Sequence, residues 1–315
     1  MLSVSKVTFQ INKKKVLDEI SLNVTPGSFY ALLGRHEAGK STLLRLCAGL
    51  LQTKQGLISV NGMNIALREN KKALFRLMGY MGPQDGYFPR LQVMEYLEVC
   101  AHAQGLFGLS ARERCMEVLQ LGGLERKAEQ LVEEQPLGIR RELSFLRAIL
   151  HRPRLLLIDD PFEGMELEQK LAMEELFAIL AEEETTIVMT TQSLSEAAQL
   201  CSEIGILEKG RIISQGSLSQ IMRQARSEAV IYIRVTDSPE KAARILGEEE
   251  LVKTISREGN HLVIRFAGGI KEESQLLEKL VRNDVHVYSF YRGQSSLENL
   301  LEMEANGEKK RYEQI

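Results

Sequence analysis

"GRHEAGKST", Gly34–Thr42, decides the fold. Its glycines, with Lys40 and Ser41 directly after the second, match the pattern G-x-x-x-x-G-K-S/T. Glycines let backbone N–H groups converge on an anion because no side chain blocks the approach, and the lysine can reach the outer phosphate oxygens. We therefore predict a phosphate-binding loop, with an incidental glycine turn as the alternative. The predicted binding residues of the loop are Gly34, Arg35, His36, Glu37, Ala38, Gly39, Lys40, Ser41 and Thr42.

The flanks of this loop support the prediction. "SFYALLG", Ser28–Gly34, is short and apolar on both faces, which is typical of a buried strand. "STLLRLCAGLL", residues 41–51, repeats its apolar residues at helical spacing. A helix N-terminus after the loop adds a favourable dipole for an anion, and Ser41 could place its hydroxyl on Mg²⁺. The order of strand, loop and helix predicts the fold of a P-loop NTPase.

Glu37 is the unusual residue of the loop, because it brings a negative charge toward a polyphosphate. In one interpretation its side chain turns to solvent and costs little. In the other it weakens nucleotide binding by about 1 kcal/mol after screening. In both cases we expect the loop to hold a nucleotide.

The remaining pattern of the first 225 residues predicts an α/β domain. Residues 1–32 alternate as antiparallel strands, and residues 86 to about 150 have the pattern of a helical subdomain, with Ser110 and Glu113 as a capping box. "LLLIDDP", Leu155–Pro161, and "TTIVMTT", Thr185–Thr191, are predicted buried strands on either side of an amphipathic helix. Such alternation favours a mainly parallel sheet.

A polar, unpatterned segment near residues 222–228 predicts a domain boundary. We expect an ATP-binding domain over residues 1–225 and an accessory domain over 226–315. The second part shows strand–helix–strand–strand–helix–strand patterns, which predict a small α+β ferredoxin-like domain. A role in regulation, in dimer contacts or in extending the core stays open for it.

Composition limits the class of protein. The chain has 315 residues, 44% of them hydrophobic and 26% charged, with a net charge of −3, so nothing in the charge balance indicates nucleic acid as a partner. No apolar run approaches the ~18 residues of a membrane span. The cysteines lie far apart, so we expect reduced packing residues of a cytosolic protein; they are Cys47, Cys100, Cys115 and Cys201.

These motifs together resemble the ATP-binding subunits of ABC transporters, over essentially the whole chain. "MGYMGPQDGYFPRLQVMEYL" is similar to the region of that family that carries a permease-sensing glutamine, here Gln84. "LLLIDDP" resembles its Walker B strand, with Asp159 on the Mg²⁺ side. The end "VYSFYRGQSSLENLLEME" resembles exporter-type subunits. The resemblance implies ATP and Mg²⁺ as cofactors, with Ser41, Gln84 and Asp159 as metal-side residues.

The departures from the family pattern fall on functional positions. Asp160 stands where the family has a glutamate that positions the attacking water, and Gln192 stands where it has a histidine that contacts the γ-phosphate. The signature that would contact the partner's nucleotide reads "QPLGI", residues 135–139, in which only Gly138 fits. Ile11 replaces the adenine-stacking aromatic, with Phe9 expected to face the core, and Glu166 replaces a loop aspartate. We therefore predict nucleotide binding with degenerate catalytic residues and weak hydrolysis.

The resemblance also implies partners: membrane permease subunits and a second ATP-binding subunit, in a heterodimer that we favour or in a homodimer. It places the chain at the cytoplasmic face of the membrane, peripheral and held through the permease. The alternative is a non-hydrolysing ATP-sensing regulatory subunit. A soluble ABC protein of DNA repair or translation is disfavoured, because the chain has neither a second such domain nor a long coiled-coil insertion.

Overall fold

The computed structural model describes residues 1–83, 86–221 and 229–293. The chain divides into two compact units, Met1–Ser217 and Leu218–Ile315. The predicted linker, 222–228, lies outside the described residues, so the boundary at 225 stays a prediction. Within the described ranges, every helix falls short of the length and apolarity that a bilayer crossing requires.

A six-stranded sheet, in the order β10-β9-β3-β8-β7-β6, forms the centre of the first unit. Its strands from β9 to β6 run parallel, and only β10 is antiparallel. Strands β3, β7 and β8 are buried along their whole length, which explains their continuous apolar sequence. The predicted mainly parallel sheet is therefore confirmed. The strands are β3 (Phe29–Leu33), β6 (Met78–Met81), β7 (Leu155–Asp159), β8 (Thr186–Thr191), β9 (Glu203–Glu208) and β10 (Arg211–Gly216).

A second, antiparallel sheet of the first unit has the order β2-β1-β4-β5, which confirms the N-terminal β-subdomain. Its first hairpin turns through Asn12 and Lys13, both at positive φ, 49° and 66°, a turn that follows the right-handed twist of the strands. Helix α1 packs its apolar face between this sheet and the parallel one. The elements are β1 (Leu2–Ile11), β2 (Lys14–Val24), β4 (Gln55–Val60), β5 (Met63–Asn64) and α1 (Lys40–Cys47).

The other helices of the first unit include the predicted helical subdomain, which consists of α3, α4 and α5. The predicted capping box at Ser110 and Glu113 is wrong. Helix α4 begins at Gly108, and the Ser110 hydroxyl donates to the Phe107 carbonyl oxygen at 2.8 Å, one turn inside the helix. The helices are α2 (Lys71–Leu77), α3 (Val93–Ala103), α4 (Gly108–Leu121), α5 (Leu137–Ile149), α6 (Leu167–Glu182) and α7 (Leu194–Leu200).

Within residues 229–293, the second unit is a four-stranded antiparallel sheet, in the order β12-β13-β11-β14, with two helices. Element order and sheet order are those of a ferredoxin-like fold, as predicted. Its core includes Ile231, Leu246, Ile264 and Leu280. The elements are β11 (Ala229–Val235), α8 (Pro239–Gly247), β12 (Val252–Glu258), β13 (His261–Phe266), α9 (Ile270–Arg282) and β14 (Val287–Gly293).

Candidate nucleotide-binding site

The predicted phosphate loop joins the buried strand β3 to helix α1, as its sequence indicates. The Gly34 amide donates to the Thr191 carbonyl oxygen at 3.3 Å. A Cβ at Gly34 would lie 2.4 Å from the Leu207 carbonyl oxygen, so the loop can start here only because the residue is glycine. Gly39 has φ 107° at the start of α1, a conformation that other residues rarely adopt. The backbone therefore sets the loop directly over the helix N-terminus.

Lys40 lies with its ammonium inside the loop. Its Nζ donates to the carbonyl oxygens of Gly34 and Arg35, at 2.7 and 3.0 Å. Burial lowers the pKa of Lys40, and the nearby carboxylates Asp160 and Asp159 oppose that shift. A lysine ammonium held at the centre of a glycine-bounded loop fits the binding of outer phosphate oxygens.

Ser41 and Asp159 form a group suited to Mg²⁺. The Ser41 hydroxyl donates to Asp159 Oδ1 at 3.0 Å, and the Thr190 hydroxyl donates to the same oxygen at 2.6 Å. Asp159 Oδ2 is buried and has no hydrogen-bond partner among the described residues. A buried carboxylate oxygen without a partner is costly. One carboxylate and one hydroxyl are the few protein ligands that Mg²⁺ takes beside phosphates, so these residues fit the ion.

Asp160 follows β7 in a left-handed conformation, with φ 49°. Its amide donates to the Thr190 carbonyl oxygen at 3.2 Å and to the Thr190 hydroxyl at 3.0 Å. Burial raises the pKa of Asp160, while a hydrogen bond from the Gln192 side chain opposes this shift. The fold thus brings the two predicted catalytic positions into direct contact.

A cavity of about 590 Å³ unites most of the predicted residues, and its size suits a small-molecule ligand. Loop residues 36–42 line it together with Asp159, Asp160 and Gln192. Gly34 and Arg35 do not line it, and the predicted Gln84 lies outside the described residues. Further lining residues were not predicted as site residues; they are Lys14, Lys15, Val16, Pro83, Glu163, Lys209 and Gly210.

Gly138 lies apart from this cavity, in the first turn of α5. A Cβ there would lie only 1.8 Å from Gln169 Oε1, so the side chain of α6 fills the space beside Gly138. Gln169 Oε1 in turn accepts from the Glu166 amide at 3.0 Å and caps α6. A larger residue at 138 would therefore require the Gln169 side chain to move. Its predicted contact with a partner's nucleotide stays a prediction.

Arg141 is a positioning residue that sequence reasoning missed. Its guanidinium is buried and donates to the Gly82 and Pro83 carbonyl oxygens at 3.0 and 3.2 Å. It also donates to the carbonyl oxygens of Asp159 and Asp160. Helix α5 is thereby tied to the end of β7 and to the residues just before Gln84. The only sequence signal for this role was the position of Arg141 in α5, three residues after Gly138.

Glu37 is exposed and has φ 61°, in the left-handed region. A glycine would adopt this conformation without cost, whereas a glutamate pays about 1–2 kcal/mol. The Glu37 side chain is exposed and also lines the cavity, so its effect on nucleotide binding stays a prediction.

Comparisons with known proteins indicate the family of this chain. A family model described as "ABC transporter" matches residues 17–163. The daunorubicin/doxorubicin resistance ATP-binding protein DrrA of Streptomyces peucetius is 30% identical over 291 residues, which cover 92% of this chain and 87% of that protein. The bacitracin transport ATP-binding protein BcrA of Bacillus licheniformis is 27% identical over 300 residues, 95% of each chain.

Solved structures show the same architecture. An ATP-binding subunit of an ABC transporter, 28% identical, superposes with a TM-score of 0.65 and covers 71% of this chain and 92% of its own. A dimeric ATP-binding cassette in a post-hydrolysis state with ADP and Pi, 22% identical, has a TM-score of 0.64, covers 69% of this chain and 99% of its own, and supports the fold alone. Because a relative that is 30% identical aligns with 92% of it, the chain belongs to the ATP-binding subunits of ABC transporters.

Proposed function

We propose that this chain is the ATP-binding subunit of an exporter-type ABC transporter, with weak ATP hydrolysis of its own. One observation carries the proposal: the fold brings Lys40, Ser41 and Asp159 together in one cradle, while the adjoining positions Asp160 and Gln192 depart from the family pattern. The names of two relatives, a bacitracin transport protein and a drug resistance protein, favour export.

In this proposal the cradle holds Mg-ATP. Lys40 binds the outer phosphates, and Ser41 with Asp159 holds Mg²⁺, with Gln84 as a further ligand. Bound ATP and Mg²⁺ supply the transferable phosphoryl group and the charge that neutralises it. Asp160 would orient the attacking water, but its carboxylate is one methylene shorter than glutamate and is engaged by Gln192. A misplacement of about 1 Å can cost on the order of 10²-fold in rate, so hydrolysis is slow.

The altered signature supports a second ATP-binding subunit with regular catalytic residues. Pro136 precedes helix α5 without any side-chain cap, and Leu137 is 47% exposed beside it. An apolar side chain offers no hydrogen bond to a phosphate. A heterodimer in which the partner provides an intact signature to this chain's nucleotide is therefore favoured over a homodimer, which would carry every alteration twice. Nucleic acid is no partner in this proposal.

A groove of about 390 Å³ in the first unit suits the permease. Leu50 and Phe75, which are 57% and 53% exposed, give the groove apolar contact area, and Arg147 lines it as well. Arg147 Nη1 also donates to the Gly86 carbonyl oxygen at 2.9 Å, close in sequence to Gln84. A short permease helix bound in this groove would contact Arg147, and the hydrogen bond from Arg147 to Gly86 would carry its position to the segment beside Gln84. The same helix would hold the chain at the cytoplasmic face of the membrane.

Co-purification with a permease and measurement of ATP turnover test the proposal. We expect the chain to co-purify with a membrane permease and to hydrolyse ATP measurably only in that complex. Phe75→Ser should release the permease, while Phe107→Ser, at a residue that is 66% exposed outside the groove, should not. Family-typical turnover by the isolated chain would contradict the proposal. Nucleotide binding without turnover in any complex would instead favour the ATP-sensing alternative.

A further inference from the structure

The sheet of the second unit has one face in the core and one face away from it. Along β11, Ile231 and Ile233 are buried in the core with α8 and α9, whereas Tyr232 between them is exposed. Directly paired residues of neighbouring strands point to the same side of a sheet. The register therefore places a group of side chains on the side without helices, which we call the open face; they are Tyr232, Arg234, Val263, Arg265, Tyr288 and Tyr291.

Aromatic rings dominate one half of the open face. The rings of Tyr232 and Tyr291 stack with their centres 5.3 Å apart, and the Arg234 guanidinium lies 5.0 Å from the centre of the Tyr288 ring. Tyr288 and Tyr291 are nevertheless 68% and 56% exposed. Neighbouring aromatic side chains that stay exposed on a folded domain are typical of a contact surface.

The open face is also cationic. Arg234 and Arg265 are exposed, and neither has an acidic partner among the residues that the structure describes. The ion pairs within residues 229–293 involve other cations, which are Arg257, Lys279, Arg282, His286 and Arg292. An occupant of this face should therefore combine apolar side chains with negative charge. A second copy of the same face fits poorly, because it would bring arginines against arginines.

The sequence that follows β14 has this combination. Residues 294–304, "QSSLENLLEME", begin directly after Gly293 and lie outside the described residues. The segment contains no lysine or arginine, and its acidic residues are Glu298, Glu302 and Glu304. Its leucines recur at the i, i+3, i+4 spacing of one helical face, and they are Leu297, Leu300 and Leu301.

The end of β14 lies close enough for this segment to reach the open face. Gly293 pairs with Val230, and Val230 pairs with Arg265, so the chain leaves β14 at the Arg265 end of the face. Four residues of β11 separate Val230 from Arg234, a distance of about 13 Å at 3.3 Å per residue. A helix of about nine residues has the same length at 1.5 Å per residue. One short helix would therefore span the face along its strands.

We propose that residues 294–304 dock on the open face as an amphipathic helix, with the leucines against the tyrosines and the glutamates at Arg234 and Arg265. The sheet of the second unit is then covered on both sides. Burial of leucine and tyrosine surface supplies the affinity, and the charges set the orientation. The inference concerns the second unit alone and holds or fails independently of nucleotide binding.

A single tryptophan in the full chain tests the docking, because the sequence contains no other tryptophan. Leu300→Trp places the probe among the leucines, and Tyr312→Trp is the control beyond residue 304. Docking that favours the covered state by about tenfold should make acrylamide quenching at least about threefold weaker at position 300 than at 312, with a blue-shifted emission. Equal quenching at the two positions would overturn the inference.

Charge reversal tests the face that is covered. In the Leu300→Trp chain, Arg234→Glu with Arg265→Glu should raise quenching by about twofold or more, toward the value at position 312. Adding Glu298→Lys and Glu302→Lys should lower it again. The matched control is Lys241→Glu with Lys271→Glu, at exposed lysines of α8 and α9, and it should leave quenching unchanged. Quenching that does not respond to the arginines would place the segment elsewhere and overturn the inference.

Dilution separates docking within one chain from docking on a second copy. Quenching at position 300 should stay constant over an about hundredfold range of protein concentration, because docking within one chain does not depend on concentration. Quenching that rises on dilution would show that the segment binds a second copy, and it would overturn docking within the chain.

Discussion

Replacing Glu142 by glutamine should change how the stability of the first unit depends on pH. The Glu142 side chain is only 3% exposed, in helix α5, and burial raises its pKa from 4.5 to about 7, with Lys127 opposing the shift. Its Oε1 has no hydrogen-bond partner among the described residues, and a Cβ at Gly122, at the end of α4, would lie 3.0 Å from that oxygen. The negative end of the α4 dipole also disfavours a carboxylate there.

The linkage between proton binding and folding gives the sign and the size of this pH dependence. Between the unfolded pKa of 4.5 and the folded pKa of about 7, the folded state binds more protons, so the free energy of unfolding falls as pH rises through this window. The shift corresponds to about 3 kcal/mol lost by pH 8 relative to pH 4. Glu142→Gln removes this titration. The difference in stability between variant and wild type should therefore grow by about 3 kcal/mol in favour of the variant from pH 4 to pH 8.

Urea unfolding at several pH values, followed by a helix signal, measures this difference. Glu113→Gln is the matched control for the loss of one carboxylate, since Glu113 is an exposed glutamate of the neighbouring helix α4. Parallel stability curves for wild type and Glu142→Gln between pH 4 and pH 8 would refute the reasoning.

Three further changes test the site. Glu37→Gln and Glu37→Gly should tighten Mg-ATP binding equally, by up to about fivefold in calorimetry. The loop already holds residue 37 at φ 61°, so only the loss of the charge affects binding. Tighter binding in the glycine variant alone would contradict this. Asp160→Glu combined with Gln192→His should raise ATP turnover in the assembled complex by at least about tenfold, as measured by phosphate release, and an unchanged rate would show that these positions do not limit hydrolysis. Arg141→Met should lower the free energy of unfolding by about 2–4 kcal/mol, because it leaves buried carbonyl oxygens without donors, and a loss below about 0.5 kcal/mol in urea unfolding would be contrary to this account.

Much of the fold could be predicted from the sequence because periodicity and glycine chemistry are local signals. The apolar run of β7 and the loop between Gly34 and Ser41 each specify their structure within a few residues. The start of α4 was predicted wrongly, because a serine can bond back to a carbonyl inside the first turn as readily as it caps a helix.

The remaining features of the site depend on contacts between distant segments. Lys209 reaches the cavity only because the β9–β10 turn packs on the start of β2, and no sequence pattern links these segments. Arg141 lies 18 residues from Asp159 in the sequence. Its hydrogen bonds go to four backbone carbonyl groups that come together only in the folded chain. The motif residues were predictable because the chemistry requires their spacing, whereas these supporting residues are required only by the geometry of the fold.

The most direct test of the central claim is to measure Mg-ATP binding and phosphate release on one sample of the purified chain. Calorimetry should show stoichiometric binding that Lys40→Ala abolishes, while phosphate release stays on the order of 10²-fold or more below that of a cassette with a glutamate at position 160 and a histidine at 192. No heat of binding would contradict the claim that the cradle is intact, and a full rate of phosphate release would contradict the claim that its catalytic residues are eroded.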